Sequence, residues 1–376
     1  MKILFTGGGS GGHFYPIIAI IQALNEKIDK EKIVDSKIYY FSDSPYNKRA
    51  LFENGIIYQN IPAGKLRRYF SVSNFFDIFK TIFGIIRAVI NVYFVYPDVV
   101  FGKGGYSSFP TLLAARILRI PVFIHESDSV PGRTNIWASK FAGRIAISYE
   151  EASKYFPKEK TAYTGQPIRK EILVPLGEGA SSYLNLDSSV PTLLFICGSQ
   201  GSEIINNALL DILPRLVEKY QIIHQTGNNN IEDIEKLSGV ILENSKYKER
   251  YRPFGYLNDL SMRMSAGISS LVISRAGSTM FEIAAWKLPS IVIPITNSNG
   301  DHQRRNAFNY ARTGACTVIE ESNLSPHVLE AAIEKLMNNK KLLKTMSEAA
   351  SKFHNPKAAE TIAREIIEMA LKHESR

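Results

Sequence analysis

Apolar residues in this chain fall in short unbroken runs, each followed by a glycine-rich or polar break and then a stretch with helical spacing. In the first half, Lys2–Phe5, Lys37–Phe41, Asp98–Phe101, Pro121–His125 and Arg144–Ser148 read as strands, with helices such as Tyr15–Leu24 and Pro110–Leu118 between them. In the second half the strands are Pro191–Cys197, Gln221–Gln225, Ser269–Ser274, Ser290–Pro294 and Ala315–Ile319. Ile204–Tyr220, Thr279–Trp286 and Pro326–Asn338 read as its helices. Continuous rather than alternating hydrophobicity suits parallel strands covered on both faces. The alternation of the two element types predicts an α/β chain of two Rossmann-like doubly wound domains.

Between Thr164 and Pro191 the chain gathers Gly165, Pro167, Pro175, Gly177, Gly179, Ser181 and Ser182, a loop-like composition. The domains are therefore expected at 1–165 and 166–357. The stretch Ala358–Leu371 places Ala359, Ile362, Ala363, Ile366, Ile367 and Ala370 on one helical face. A C-terminal helix, 358–376, is expected to pack back on the first domain.

Four glycine loops follow predicted strands. Thr6–His13 contains Gly7, Gly8, Gly9, Gly11 and Gly12, which let backbone approach a ligand closely. It fits G-x-G-x-x-G almost automatically, and the acidic residue expected about 20 positions on is missing, Asp43 lying too far along. His13 follows at a helix start, where the positive dipole end favours the neutral imidazole that a general base needs; a packing role is the alternative. Gly102–Ser108 is either a diphosphate cradle or a tight turn. Gly198–Ser202 offers backbone N–H groups and the Ser199 hydroxyl to phosphate. Arg275–Thr279 breaks a buried strand and leads into a helix bearing Glu282, a carboxylate placed to take a ribose diol. The polar run Asp301–Ala307 ends the next strand's loop and faces the same crevice.

His125-Glu126-Ser127-Asp128 also ends a strand, so its side chains are expected to face the cleft between the two domains. It is not a zinc HExxH helix, and with no Asp-x-Asp in the chain a metal on diphosphate has no obvious ligands. Arg169, framed by glycine and proline, is placed to neutralise phosphate charge.

Composition narrows the picture in two ways. The net charge of +9 favours an anionic partner, but no nucleic-acid motif accompanies it. Two unpatterned cysteines, Cys197 and Cys316, give neither a disulfide framework nor a zinc site, so a reducing compartment is expected. Lys65–Phe70 is basic and aromatic, and the run from Phe75 to Ile90 is apolar but interrupted by Lys80 and Arg87. That pattern describes an element lying on an anionic membrane surface rather than crossing it; a core helix is the alternative. No eighteen-residue uncharged apolar segment occurs, so no spanning helix is expected.

Taken in order, GGGSGGHFYP, GKGGYSSFP, HESDSVPGRTN, TGQPIR, GSQGS, SRAGSTMFEIA and DHQRRNA make the chain resemble the MurG family over nearly its whole length. These bacterial enzymes add N-acetylglucosamine (GlcNAc) to undecaprenyl-pyrophosphoryl-muramyl-pentapeptide (lipid I), giving lipid II for peptidoglycan. The resemblance implies a GT-B fold, two Rossmann-like domains around a cleft, at the cytoplasmic face of the inner membrane. Donor UDP-GlcNAc would bind the C-terminal domain and the lipid acceptor the N-terminal one, with no cofactor. By position, Gly9, Ser10, Gly11 and Gly12 would approach the transferred sugar and its diphosphate. His13 would be the base and Glu126 the second candidate. Arg169 and Ser199 would hold diphosphate. Glu282 would take the ribose, Gln303 the sugar hydroxyls, and the backbone of Leu257 the uracil. Two departures stand out. The family's HEQN is His125-Glu126-Ser127-Asp128 here, so Asp128 offers an acceptor-only carboxylate to the sugar. The turn RAGSTMFE is one residue shorter than the family's, which bears on Ser278 and Thr279. The expected reaction is inverting transfer to the muramyl 4-hydroxyl, the leaving UDP held by helix N-termini, Ser199 and Arg169. The alternatives are a UDP-GlcNAc 2-epimerase-like isomerase and a nucleotide-binding protein that transfers nothing.

Overall fold

The computed structural model describes residues 1–65 and 72–374, so Leu66–Phe70 of the basic aromatic run lie outside the described residues. The chain divides into two units, Met1–Arg169 together with the chain from Asn355 on, and Lys170–His354. The crossing thus falls after Arg169 rather than at residue 165, which leaves the whole Thr164–Arg169 run in unit one.

Unit one runs β1 (Lys2–Thr6), α1 (Gly11–Glu31), β2 (Lys37–Ser42), α2 (Lys48–Glu53), β3 (Ile56–Asn60), α3 (Val72–Val95), β4 (Val99–Gly102), α4 (Phe109–Ile117), β5 (Val122–Glu126), α5 (Arg133–Ser139), β6 (Arg144–Ile147) and β7 (Thr161–Tyr163). Its parallel sheet has the order β3-β2-β1-β4-β5-β6-β7. Successive residues of β1 point to opposite faces, as a strand requires. Ile3 and Phe5 meet Phe14, Ile17 and Ile21 of α1, while Leu4 meets Leu112 and Ala115 of α4 together with Ala88 and Val92 of α3.

Unit two runs α6 (Lys170–Leu173), α7 (Ala180–Tyr183), β8 (Thr192–Ile196), α8 (Glu203–Lys219), β9 (Gln221–Gln225), α9 (Ile231–Ile241), β10 (Tyr251–Phe254), α10 (Asp259–Ile268), β11 (Ser269–Ser274), α11 (Thr279–Ala285), β12 (Ser290–Val292), α12 (His302–Arg312), β13 (Cys316–Val318), α13 (Pro326–Met337) and α14 (Lys340–Phe353). Its parallel sheet has the order β10-β9-β8-β11-β12-β13. Leu193 and Phe195 face α8 and α13; Leu194 and Ile196 face Met262 of α10 and Ile283 of α11.

The last helix, α15 (Ala358–Glu374), belongs to unit one. Its face Ile362, Ala363, Ile366, Ile367 and Ala370 is buried against α1 and the β1 side of the sheet.

Helix α3 corrects the expectation for its region. From Phe75 to Val95 it is 21 residues of mean hydropathy 1.7, long and apolar enough to cross a membrane by length and composition. Three scattered charges, Asp77, Lys80 and Arg87, do not lower the average enough to exclude a span, although they break the uncharged run. The helix is not a core helix either. Ala88 and Val92 are buried, but Phe76, Phe79, Phe83, Ile86, Ile90 and Phe94 are all at least half exposed. Its inner side is pinned by backbone: the Thr81 hydroxyl accepts from Gly64 N at 3.0 Å and donates to Asp77 O at 2.7 Å. A Cβ on Gly84 would lie 1.8 Å from Pro62 O, so only glycine admits this approach.

Candidate functional site

In an open parallel sheet, ligands bind outside the carboxyl ends of the strands where the order reverses. In unit one that place lies between β1 and β4. Loop Gly7–Ser10 leaves β1 and is gripped from two sides. The Tyr40 hydroxyl donates to Gly7 O at 2.6 Å. A Cβ on Gly9, whose φ is +87°, would sit 3.0 Å from the Tyr106 ring. Tyr106 is itself fixed by donating to Asp43 Oδ2 at 2.8 Å. Burial, then that bond, pushes its phenol up to about 12, so it stays a donor.

Ser10 caps α1 through its carbonyl, which accepts from His13 N at 3.2 Å and Phe14 N at 3.1 Å. Its hydroxyl makes no capping bond and is exposed. His13, in the first turn, lies against the second loop: a Cβ on Gly105 would be 3.5 Å from its Cδ2 and 3.6 Å from its Nε2. Gly7, Gly8 and His13 are therefore brought beside Gly104 and Gly105, while Gly9 lies against Tyr106 and Gly11 against Tyr46 and Tyr15. The Arg169 guanidinium stacks 3.8 Å above the ring of Tyr15, two residues beyond His13 along α1.

The end of β5 differs from expectation. His125, Glu126 and Ser127 are at most 8% exposed, because they turn into unit one rather than out of the sheet end. Glu126 Oε1 accepts from Asp128 N at 3.0 Å; Oε2 accepts from Gly132 N at 3.1 Å and Asn135 Nδ2 at 2.9 Å. Glu126 thus ties down the loop that follows it, a structural use of the carboxylate offered as second base. Burial, then Asp128, raises its pKa well above the ordinary range. His125 Nε2 is 3.2 Å from Gly165 O and 3.3 Å from Ser148 Oγ. A carbonyl only accepts, so Nε2 carries the proton. Burial, then Lys103, holds this imidazole well below its ordinary value. Gln166 Oε1 accepts from Ser127 Oγ at 2.9 Å and Ser148 Oγ at 2.8 Å. The ammonium of Lys103, 1% exposed, donates to Ser127 Oγ. Of this cluster only Asp128 is partly open to solvent.

In unit two the order reverses between β8 and β11. Loop Gly198–Ser202 leads into α8, with Ser199 exposed and Ser202 at the N-cap. This loop lies back to back with the turn after β9: a Cβ on Gly201, at φ +72°, would fall 1.7 Å from Thr226 O. Gln225 joins the loop to the uracil candidate, its Nε2 donating to Gly198 O at 2.7 Å and its Oε1 accepting from Leu257 N at 3.0 Å. The Leu257 amide is therefore spent inside the protein, and its carbonyl is the backbone group left to offer a base.

After β11, the shortened turn closes through Met280 N to Gly277 O at 3.2 Å and Phe281 N to Ser278 O at 3.1 Å. Ser278 is the N-cap without a side-chain capping bond, Thr279 opens α11, and Glu282 sits half-buried in the first turn. A Cβ on Gly277 would meet nothing within 4 Å, so this backbone borders open space. Gln303, in the first turn of α12, accepts from Ile295 N at 3.1 Å, which orients its amide. Arg275 is not a ligand-facing cation. It bonds Ile293 O at 3.1 Å, Ser202 Oγ at 2.6 Å and Glu321 Oε1 at 2.5 Å, lacing three loops together. Ser199, Ser278, Thr279, Glu282 and Gln303 are thus carried on the loops and helix starts that follow three strands of one sheet.

Lys103, Asp43, Tyr106, Gln225 and Arg275 were not singled out in sequence. A lysine inside a glycine loop and a glutamine ending a buried strand were the available signals.

Two doubly wound parallel sheets in one chain, each with glycine loops at its reversal point, are the plan of the GT-B glycosyltransferases. The glycosyltransferase family 28 N-terminal domain matches residues 3–147, and the family's C-terminal domain matches residues 192–362. A Bacillus cereus protein named UDP-N-acetylglucosamine–N-acetylmuramyl-(pentapeptide) pyrophosphoryl-undecaprenol N-acetylglucosamine transferase 2 is 37% identical over 371 residues, 98% of this chain and 99% of its own. The crystal structure of Acinetobacter baumannii MurG superposes with a TM-score of 0.71 at 25% identity, covering 98% of this chain and 99% of its own. A Staphylococcus aureus MnaA–UDP structure reaches the same TM-score at 15% identity, covering 100% and 98%, and shares the fold alone. The chain belongs to the MurG family of N-acetylglucosaminyltransferases, within glycosyltransferase family 28.

Proposed function

We propose that the chain moves GlcNAc from UDP-GlcNAc to the muramyl 4-hydroxyl of undecaprenyl-pyrophosphoryl-MurNAc-pentapeptide, with inversion, at the cytoplasmic face of the plasma membrane. The observation that carries this reading is the full-length match to relatives named for that reaction. In this reading unit two is the donor half. Glu282 takes the ribose hydroxyls, Ser199 and the α8 N-terminus take diphosphate, Gln303 takes the sugar hydroxyls, and Leu257 offers its carbonyl to uracil. The backbone of Ser278 and Thr279 lines the same place. Unit one is the acceptor half. Gly9, Ser10, Gly11 and Gly12 approach the sugar and diphosphate, His13 removes the proton from the attacking hydroxyl, Asp128 accepts from the muramyl sugar, and Arg169, held by Tyr15, meets phosphate. Glu126 serves by shaping the loop.

The exposed apolar face of α3 supports contact with an anionic bilayer. Soluble monomers rarely leave so large a contiguous apolar patch in water. A lipid-linked acceptor explains such a face, which an epimerase acting on a soluble nucleotide sugar would not use.

Transfer of labelled GlcNAc to a short-chain lipid I analogue tests the reading. Product is expected when UDP-GlcNAc and the acceptor analogue are both present, and not from the donor alone. Failure to transfer, or UDP-GlcNAc bound away from Glu282 and Gln303 in a donor complex, overturns it.

A further inference from the structure

Lys103 is the one lysine whose side chain is fully enclosed among the described residues, and the mechanism above gives it no task. Its ammonium bonds Ser127 Oγ, and Ser127 bonds Gln166 Oε1, so a directed chain of hydrogen bonds runs from the β4 loop to the segment after β7. The residue after Ser127 is Asp128, and the one before is Glu126, 4% exposed. A buried cation is tolerated only when paired and hydrogen-bonded; removing one partner leaves an uncompensated charge. The groups facing Lys103 are Glu126 and Asp128, which favour its charge, and His125, whose charging it opposes; His13 acts on His125 in the same sense.

We propose that Lys103 is a positioning residue of the acceptor half-site: it fixes the loop bearing Asp128 through Ser127, and its charge balances the two carboxylates on either side. This rests on the assignment of that loop to the acceptor. The buried ammonium lies within reach of both Glu126 and Asp128, which makes a second carboxylate tolerable there. Without it, Glu126 loses the nearby cation that lowers its pKa, and its proton is held to higher pH.

The test compares Lys103→Met, Asp128→Asn, Asp128→Ala, the double variant Lys103→Met with Asp128→Asn, and Ser127→Ala in the full chain, measuring KM for a soluble lipid I analogue, KM for UDP-GlcNAc, and kcat/KM against pH. Lys103→Met is expected to raise the acceptor KM about tenfold through misplacement of the loop. The donor KM should stay within about twofold, and the acid limb should move up by about one unit. Adding Asp128→Asn should return the limb and the acceptor KM toward those of Asp128→Asn alone, a coupling that a merely structural role would not show. Ser127→Ala should raise the acceptor KM without moving the limb, and it decides the matter if Lys103→Met does not fold. An unmoved limb with an unchanged acceptor KM in Lys103→Met overturns the proposal, as does simple additivity in the double variant. If Asp128→Ala leaves the acceptor KM untouched, the acceptor assignment falls and takes the proposal with it. If Asp128→Ala raises that KM and Lys103→Met does nothing, only the proposal falls.

Discussion

His13 sits where three independent constraints meet: the first turn of α1, the flat backbone of Gly105, and the glycine loop that leaves β1. On the proposed mechanism His13→Ala keeps UDP-GlcNAc affinity, because the donor is held by unit two, and loses about 10²–10⁴-fold in kcat, the usual worth of a positioned base. Calorimetric titration with UDP-GlcNAc beside a turnover assay checks both halves; retained turnover removes His13 as the base. Glu126 makes a separate prediction through stability. Its folded pKa lies above its ordinary 4.5, so the folded state holds its proton longer than the unfolded state does. Stability contributed by this group is present at low pH and is lost as pH rises from about 4.5 toward neutrality. Lys103 has the opposite sign. Its folded pKa lies below its ordinary 10.5, so stability is regained as pH climbs toward that value. Denaturation midpoints from pH 4 to 8 should show the falling limb in the native chain and a flatter one in Glu126→Gln. The positions of the glycine loops, His13, Glu282 and Gln303 were legible in sequence because each follows a buried strand; Arg169 was read from the glycine and proline around it, the strand before it being largely exposed. The inward turn of His125, Glu126 and Ser127 was not, since a polar tetrapeptide at a strand end reads the same whether it faces solvent or a buried lysine.

At the scale of the element, the central strands and the edge strand β13 were legible, and the other three edges were not. β3, β7 and β10 each lie at or next to a sheet margin, carry exposed or partly exposed positions, and so lack an unbroken apolar run. β10 even contains Pro253, which an edge admits and a central strand does not. Helix α3 makes the clearest elemental prediction. Phe79→Asp with Phe83→Asp should release the protein from vesicles rich in phosphatidylglycerol in a sedimentation assay. Folding should be unaffected, since both side chains are more than half exposed. Undiminished binding removes α3 as the contact. In unit two, Gly201→Ala forces a left-handed φ on alanine and drives a methyl into Thr226 O. A cost on the order of 1–3 kcal/mol is expected from the backbone alone, read as a lowered denaturation midpoint together with a raised KM for UDP-GlcNAc.

At the scale of the molecule, two separate cores support two half-sites, and α15 is what completes the first. Ile362, Ile366 and Ile367 are each no more than 2% exposed. Ile366→Ala should cost about 2–5 kcal/mol, a large fraction of a domain's stability. In limited proteolysis the first cuts should fall in unit one while unit two persists as a fragment. The amphipathic stripe of α15 was readable from its spacing; the identity of its partner, α1, required the fold, because stripes carry no address.

Unit one is therefore discontinuous along the chain, its closing helix made only after all of Lys170–His354 has been polymerised. At typical elongation of roughly 5–20 residues per second, that leaves the α1 side of the first sheet uncovered for something like 10–40 s on the ribosome. A nascent chain whose adhesive helix α3 has already emerged spends that interval with two greasy surfaces bare, so the order of synthesis itself invites either early docking at the bilayer or shelter by a chaperone.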